Sequence, residues 1–237
     1  MAIERQLRVY EALGDTYEST AVFDPQAGEQ PGLLLFPNFF GVKEWDYAKG
    51  EELAALGFKV LVVDFYGRGK RATDMAEAGA YMQELASDRA AMRDKLTTHL
   101  AELHKLPDVK AGTAAAIGFC FGGKCVLDLA RSGADIAGVV HHGVYDAPPF
   151  PNAAMTAKLL VCHGWNDEYC PPEATVGLAK ELTDAGVDWQ LIAYSHTGHA
   201  YTTNDMPQNA EKTFGFQPVT NRRSWLATQN FLAETFG

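Results

Sequence analysis

Apolar residues along this chain fall into short dense runs, separated by longer stretches where they recur every three or four positions. GLLLFP (32–37) and FKVLVVDFYG (58–67) are continuous apolar runs, the pattern of strands buried on both faces. GTAAAIGF (112–119), IAGVVHHG (136–143), AKLLVCHG (157–164) and DWQLIAYS (188–195) repeat that pattern. The opening QLRVYEALGDTYESTAVFD (6–24) predicts two strands joined at Gly14-Asp15, a pair suited to the positive φ of a tight turn.

Helical spacing fills the intervals. It runs from Glu44 to Leu56 and stops at Gly57. It predicts one long helix between Thr73 and Leu106, ended by Pro107. GGKCVLDLARSG (122–133) closes at Gly133, and PPEATVGLAKELTDAG (171–186) has prolines at its start and a glycine at its end. Residues 200–221 read as irregular, and NRRSWLATQNFLAETFG (221–237) as a terminal amphipathic helix. No repeat, low-complexity tract or long linker interrupts the pattern, so one domain over 1–237 is expected. Strand and helix alternate, which predicts an α/β fold with a doubly wound, mostly parallel sheet and helices on both faces. In such sheets, sites form beyond the carboxyl ends of the strands. The residues to weigh are therefore Pro37-Asn38-Phe39-Phe40, Asp64 to Arg71, Cys120, His141-His142, His163 to Cys170 and Ser195 to Tyr201.

Composition narrows the choice of partners. The 237 residues are 47% hydrophobic and carry a formal net charge of −10, which argues against nucleic acid or an anionic membrane surface. No run of about 18 apolar residues predicts a membrane span. MAIERQLRVYEALGD places charges where a signal peptide needs an apolar stretch, so a cytoplasmic protein is expected, with its four cysteines as thiols. Gly67-Arg68-Gly69 is not a nucleotide fingerprint and no phosphate-binding loop occurs, so no cofactor is implied. Both a monomer and a homodimer fit.

One stretch is unlike a core segment. Gly118-Phe119-Cys120-Phe121-Gly122 fits G-x-nucleophile-x-G, with cysteine as the nucleophile, between a predicted strand and a predicted helix. The turn this motif makes is tight enough to strain its central residue, and the positions two away must lack bulk. The nucleophile then stands at a helix N-terminus, whose positive end favours a thiolate. The backbone N–H of Phe121 lies where a substrate oxyanion would form. A structural thiol in a glycine-rich turn would explain Cys120 alone. It does not explain the acid and histidine that follow in the order such elbows require: Asp167 in HGWNDEYCPP and His199 in SHTGHAYT, both at predicted strand ends. In this triad Cys120 attacks a carbonyl, His199 relays protons, and Asp167 orients the imidazole. A zinc site from Cys162, His163, Cys170 and His199 competes for the same histidine, but its cysteines lack CxxC spacing, so no metal is expected.

FFGVKEW (39–45), VVDFYGRG (62–69), GFCFGG (118–123), HGWNDEYCPP (163–172), SHTGHAYT (195–202) and the final RSWLATQNFLAETFG (223–237) together resemble the dienelactone hydrolase family of α/β-hydrolases, the carboxymethylenebutenolidases and relatives. The resemblance covers nearly the whole chain. It implies the α/β-hydrolase fold. It selects His199, the histidine before Ala-Tyr-Thr, over His196. It also implies a second oxyanion donor, the backbone N–H of Phe39. Where the family's E-x-F-G stretch carries a glutamate, this chain has Asn38, which cannot take a proton. Thr202, Thr203 and Glu77 stand where dienelactone-cleaving members carry arginines for the substrate carboxylate. His141 and His142 end a strand where the family often has two tyrosines. Asn38, Trp45, Tyr66, Tyr81, His142, Tyr145 and Tyr201 are candidate pocket residues, since pockets are largely apolar and aromatic.

The expectation is a cysteine-dependent hydrolase of carboxylic esters or lactones, with an acyl-enzyme on Cys120 and a small-molecule substrate. Thiolate attack suits activated esters, enol-lactones and thioesters. The alternative is a non-catalytic small-ligand-binding protein on the same scaffold, for which the retained triad has no physical need. A thiol redox role for Cys120 and Cys125 is disfavoured, because five residues along a helix turn their side chains apart.

Overall fold

The structure is a computed structural model that describes residues 2–209 and 211–237. The chain folds into two compact units, one ending at Ala116 and one beginning at Ile117. The first contains β1 (Glu4–Ala12), β2 (Asp15–Phe23), β3 (Gln30–Phe36), α1 (Glu44–Ala55), β4 (Lys59–Val62), α2 (Met75–Ala86), α3 (Arg89–His104) and most of β5 (Val109–Phe119). β1 and β2 form the expected hairpin, in register from Ala12 opposite Asp15 to Glu4 opposite Phe23. Its turn residues Leu13 and Gly14 both have positive φ. β4 is antiparallel to β2 and parallel to β3, and the strand order here is β1-β2-β4-β3-β5. Leu33 to Phe36 and Val60 to Val63 are fully buried, which is why these strands read as unbroken apolar runs.

The single helix expected between Thr73 and Leu106 is two. α2 ends at Ala86 and α3 begins at Arg89, with Asp88 as its N-cap. The Asp88 carboxylate accepts the N–H groups of Ala90 and Ala91, so a new helix starts there instead of the old one continuing. Leu85, Met92, Leu96 and Leu103 bury the inner faces of the pair.

The second unit takes the end of β5 and adds α4 (Phe121–Arg131), β6 (Ala137–His141), β7 (Lys158–Gly164), α5 (Pro172–Asp184), β8 (Asp188–Tyr194) and α6 (Pro218–Phe236). β6, β7 and β8 lie side by side and parallel. The Cys120 N–H donates to the His141 carbonyl at 3.0 Å, fixing the end of β5 beside the end of β6. Every residue of α4 is buried. Its Arg131 guanidinium grips Glu181 of α5 through two hydrogen bonds of 2.8 and 2.7 Å. The irregular stretch after β8 is shorter than expected, because Pro218 starts α6 three residues before Asn221. The pairings make a mixed, mostly parallel sheet of the α/β class. Among the described residues no helix is long and apolar enough to cross a membrane.

Candidate active site

The loops beyond the carboxyl ends of β5 to β8 in the second unit hold the residues singled out by the elbow motif. Cys120 has φ 56° and ψ −116°, a conformation L-residues rarely adopt, and it is the N-cap of α4. The flanking glycines account for it. A Cβ on Gly118 would lie 2.0 Å from the Gly122 carbonyl oxygen, and one on Gly123 would lie 2.8 Å from the Gly143 Cα. No side chain fits at either place, so GFCFGG is a steric requirement of the turn. Cys120 is partly exposed, whereas Cys125, Cys162 and Cys170 are buried, and all four are free thiols. Burial pushes the Cys162 and Cys170 thiols up to about 12, which keeps them protonated and inert. Phe121 is the first residue of α4, where N–H groups point out of the helix end.

Asp167 sits in a turn that the backbone alone defines. The Trp165 N–H donates to the Tyr194 carbonyl, the Asn166 N–H to Thr197, and the Asp167 N–H to Gly164. Its carboxylate is 2% exposed yet fully engaged. One oxygen accepts the Tyr169 and Cys170 N–H groups at 2.9 and 3.3 Å. The other accepts the His199 Nδ1–H at 2.8 Å. That bond leaves Nε2 of His199 for chemistry.

His199 is 3% exposed and is held by its own backbone. Its N–H donates to the Thr213 carbonyl, and its carbonyl accepts from the Gly215 N–H. The segment after β8, irregular as it is, is therefore the brace that aims the imidazole. Gly198 must be glycine, because a Cβ there would lie 2.0 Å from the Thr213 carbonyl carbon. Burial disfavours a charged ring at this depth. The charge of Cys120, the hydrogen bonds to Asp167 and Cys120, and the Asp167 charge outweigh it and hold His199 at about 10. His199 is thus hydrogen-bonded to Asp167 and lies within the influence of the Cys120 charge.

The remaining candidates divide. His142 is fully buried, with φ 38° and its Nε2 hydrogen-bonded to Thr202 Oγ1 at 2.7 Å. Its ring meets His199 edge to face at 5.0 Å, and burial, then the neighbouring His199 charge, hold its pKa well below the usual value. His142 is thus a neutral ring against a charged one. His141 ties α6 to β6 through Thr228 Oγ1. Tyr201 is fully buried and donates to the Cys162 carbonyl, and the Tyr145 hydroxyl bonds the His163 ring. Both tyrosines are packed with their polar ends occupied. In the first unit, the Asn38 side-chain oxygen accepts the Phe40 N–H, closing a turn that contains Phe39. Tyr66 donates to the Phe39 carbonyl, Tyr81 donates to Glu77, and half-buried Trp45 lies under Lys49.

Sequence reasoning missed Tyr169. It is 55% exposed, and its ring centroid lies 4.8 Å from that of His199. Its hydroxyl pKa is raised by partial burial first, then by the charges of Glu168, Cys120 and Asp167. The available signal was its position two residues after Asp167, in a loop that must fold back for Asp167 to accept the Tyr169 N–H. Among the described residues no group of three or more His, Cys, Asp or Glu side chains has a metal-binding arrangement.

A strained nucleophile elbow at the end of a parallel strand, followed by an acid and a histidine on later strand ends, defines the α/β-hydrolase class. The model of the dienelactone hydrolase family matches residues 19–236, and the chain belongs to that family. It is similar over its whole length to the protein m3DLH, with 33% identity, a TM-score of 0.93 and all of both chains covered. A dienelactone hydrolase-like promiscuous phosphotriesterase from metagenomic libraries superposes with a TM-score of 0.92 at 29% identity, again over all of both chains. Among curated proteins, a carboxymethylenebutenolidase of Rhodococcus opacus is 24% identical over 214 residues, 86% of this chain and 81% of that protein. Hydrolysis of ester or lactone bonds is the activity that this membership supports.

Proposed function

We propose that the protein hydrolyses carboxylic esters or lactones through an acyl-enzyme on Cys120. The observation that carries this reading is the partly exposed Cys120 in its strained turn, together with the buried His199 bonded to a carboxylate that accepts three N–H bonds.

The steps follow from that arrangement. The Cys120 thiolate forms a bond to the carbonyl carbon, and the carbonyl π electrons move onto oxygen. The Phe121 N–H at the head of α4 donates to this oxyanion. The intermediate collapses, the C–O bond to the leaving group breaks, and the protonated Nε2 of His199 gives its proton to the departing oxygen. The charge on Cys120 is the largest influence that raises the His199 pKa. Acylation removes that charge, and the burial that opposes protonation then prevails. His199 thereby becomes neutral as the acyl-enzyme forms. It is then the base that takes a proton from water, which attacks the thioester, and Cys120 leaves as thiolate. Asp167 keeps the Nδ1–H in place throughout.

The test is turnover and intact mass with activated esters, thioesters and lactones, using wild type and Cys120→Ala side by side. Phosphotriesters belong in the panel, since a structural relative at 29% identity is described as acting on them. Turnover by wild type, and an acyl adduct that Cys120→Ala lacks, are expected. Equal turnover by a folded Cys120→Ala protein refutes the mechanism.

A further inference from the structure

We infer that a cavity of about 480 Å³ beside α5 is the subsite for the leaving group of the ester, and that it takes an uncharged, apolar or aromatic substituent. This rests on the hydrolase reading above. Tyr169 is one wall of the cavity, and the same ring lies 4.8 Å from His199. His199 must deliver its proton to the departing oxygen, so that oxygen lies at His199 during acylation. The substituent on it then extends past Tyr169 into the cavity that Tyr169 also lines.

The walls select chemistry. Ala147, Ala174, Gly177 and Leu178 give a surface of small apolar groups. A Cβ added at Gly177 would meet nothing within 4 Å, so the helix leaves open space there. Two acids also line the cavity, but each is already matched. Asp146 pairs with Lys124, and Glu181 pairs with Arg131 at 2.7 Å. Their cations are 7% and 2% exposed, so neither offers a free positive charge to an anionic leaving group. The exposed face of Tyr169 offers stacking to a flat ring.

Gly177→Phe tests this. The residue is in a helix with ordinary φ, and the added ring enters open space, so the fold is retained. The acyl group is held constant as acetyl, so deacylation is common to both substrates and kcat/KM reports acylation. Vinyl acetate has a small leaving group and 2-naphthyl acetate a large flat one. Gly177→Phe is expected to lower the ratio of kcat/KM for 2-naphthyl over vinyl acetate at least tenfold. Val176→Phe, on an exposed position of the same helix outside the cavity, is expected to keep the wild-type ratio. A ratio within twofold of wild type in Gly177→Phe, or an equal fall in Val176→Phe, overturns the subsite while leaving the hydrolase reading intact. Absence of turnover by wild type on both esters removes the hydrolase reading, and the subsite with it.

Discussion

Each unit of the molecule buries a histidine beside other aromatic rings, and the two behave in opposite ways. His99 on α3 is fully buried, bonded through Nδ1 to the Tyr10 hydroxyl at 2.7 Å and packed against the Tyr17 ring at 4.8 Å. Burial pushes its pKa down to about 3, with help from the Lys95 charge. His199 is almost as deeply buried, yet it is held at about 10. Depth is the same and partners differ. A hydroxyl does not compensate a buried positive charge, whereas the Asp167 carboxylate and the charge of Cys120 do. Burial alone marks a packed histidine; burial overcome by opposite charge marks the one proposed to move protons.

The largest effect that would sharpen this contrast comes from Cys120→Ala. Turnover is expected to fall by at least about 10⁴-fold, because the residual groups no longer form an acyl-enzyme. The same change removes the largest influence raising the His199 pKa, so its NMR titration is expected to move well below about 10. The ring would then approach the behaviour of His99. If His199 keeps its high pKa in the variant, Cys120 does not carry the charge assigned to it.

Asp167→Asn is next in size. It keeps the shape of the acid but removes its charge, and with the amide oxygen held by the Tyr169 and Cys170 N–H groups its NH2 faces Nδ1 in place of an acceptor. A loss of about 10²- to 10⁴-fold in kcat is expected. The sign of the pH effect is fixed. In the proposed mechanism the proton donor for the leaving group is the His199 imidazolium, so kcat/KM is expected to decline as pH rises through about 10. Without the Asp167 charge that alkaline limb moves to lower pH. A limb that stays in place assigns it to some other group.

How much of this was legible depended on how local each constraint was. The elbow could be read because its tightest constraint is local, Gly118 against Gly122. The order of Cys120, Asp167 and His199 could be read because strand ends were visible as apolar runs. The break at Asp88 was hidden because strong helix formers flank it on both sides, and only the Ser87-Asp88 pair, with the cap Asp88 forms to Ala90 and Ala91, ends the pattern. Tyr169 was hidden for a different reason. Its exposure over His199 depends on a loop folded by bonds to residues some thirty positions away, such as Asn166 to Thr197. The contact of His142 with Thr202 spans sixty positions, and nothing in HHGVY announces it. Local sterics wrote the nucleophile into the sequence; the surroundings of the histidine were written by tertiary packing.

The smallest expected effect isolates the other side of the comparison. His99 has a folded pKa of about 3, below its unfolded value near 6.5. Between those values the unfolded chain binds a proton that the folded chain refuses. His99 therefore withdraws stability as pH falls through 6.5, and the loss grows until about 3. At pH 5 this amounts to about 2 kcal/mol. His99→Phe preserves the ring packing and removes the titration. The Tyr10 hydroxyl keeps its bond to Ser19 Oγ at 2.8 Å, and the buried Nε2 of His99 has no partner to lose. Denaturant unfolding at pH 8 is then expected to show the variant within about 1 kcal/mol of wild type. At pH 5 the variant is expected to be the more stable by about 2 kcal/mol, with ester turnover at pH 8 unchanged. Parallel stability curves would mean that His99 stays neutral in both states or gains a partner on protonation. The contrast between a silenced histidine and a working one would then rest on His199 alone.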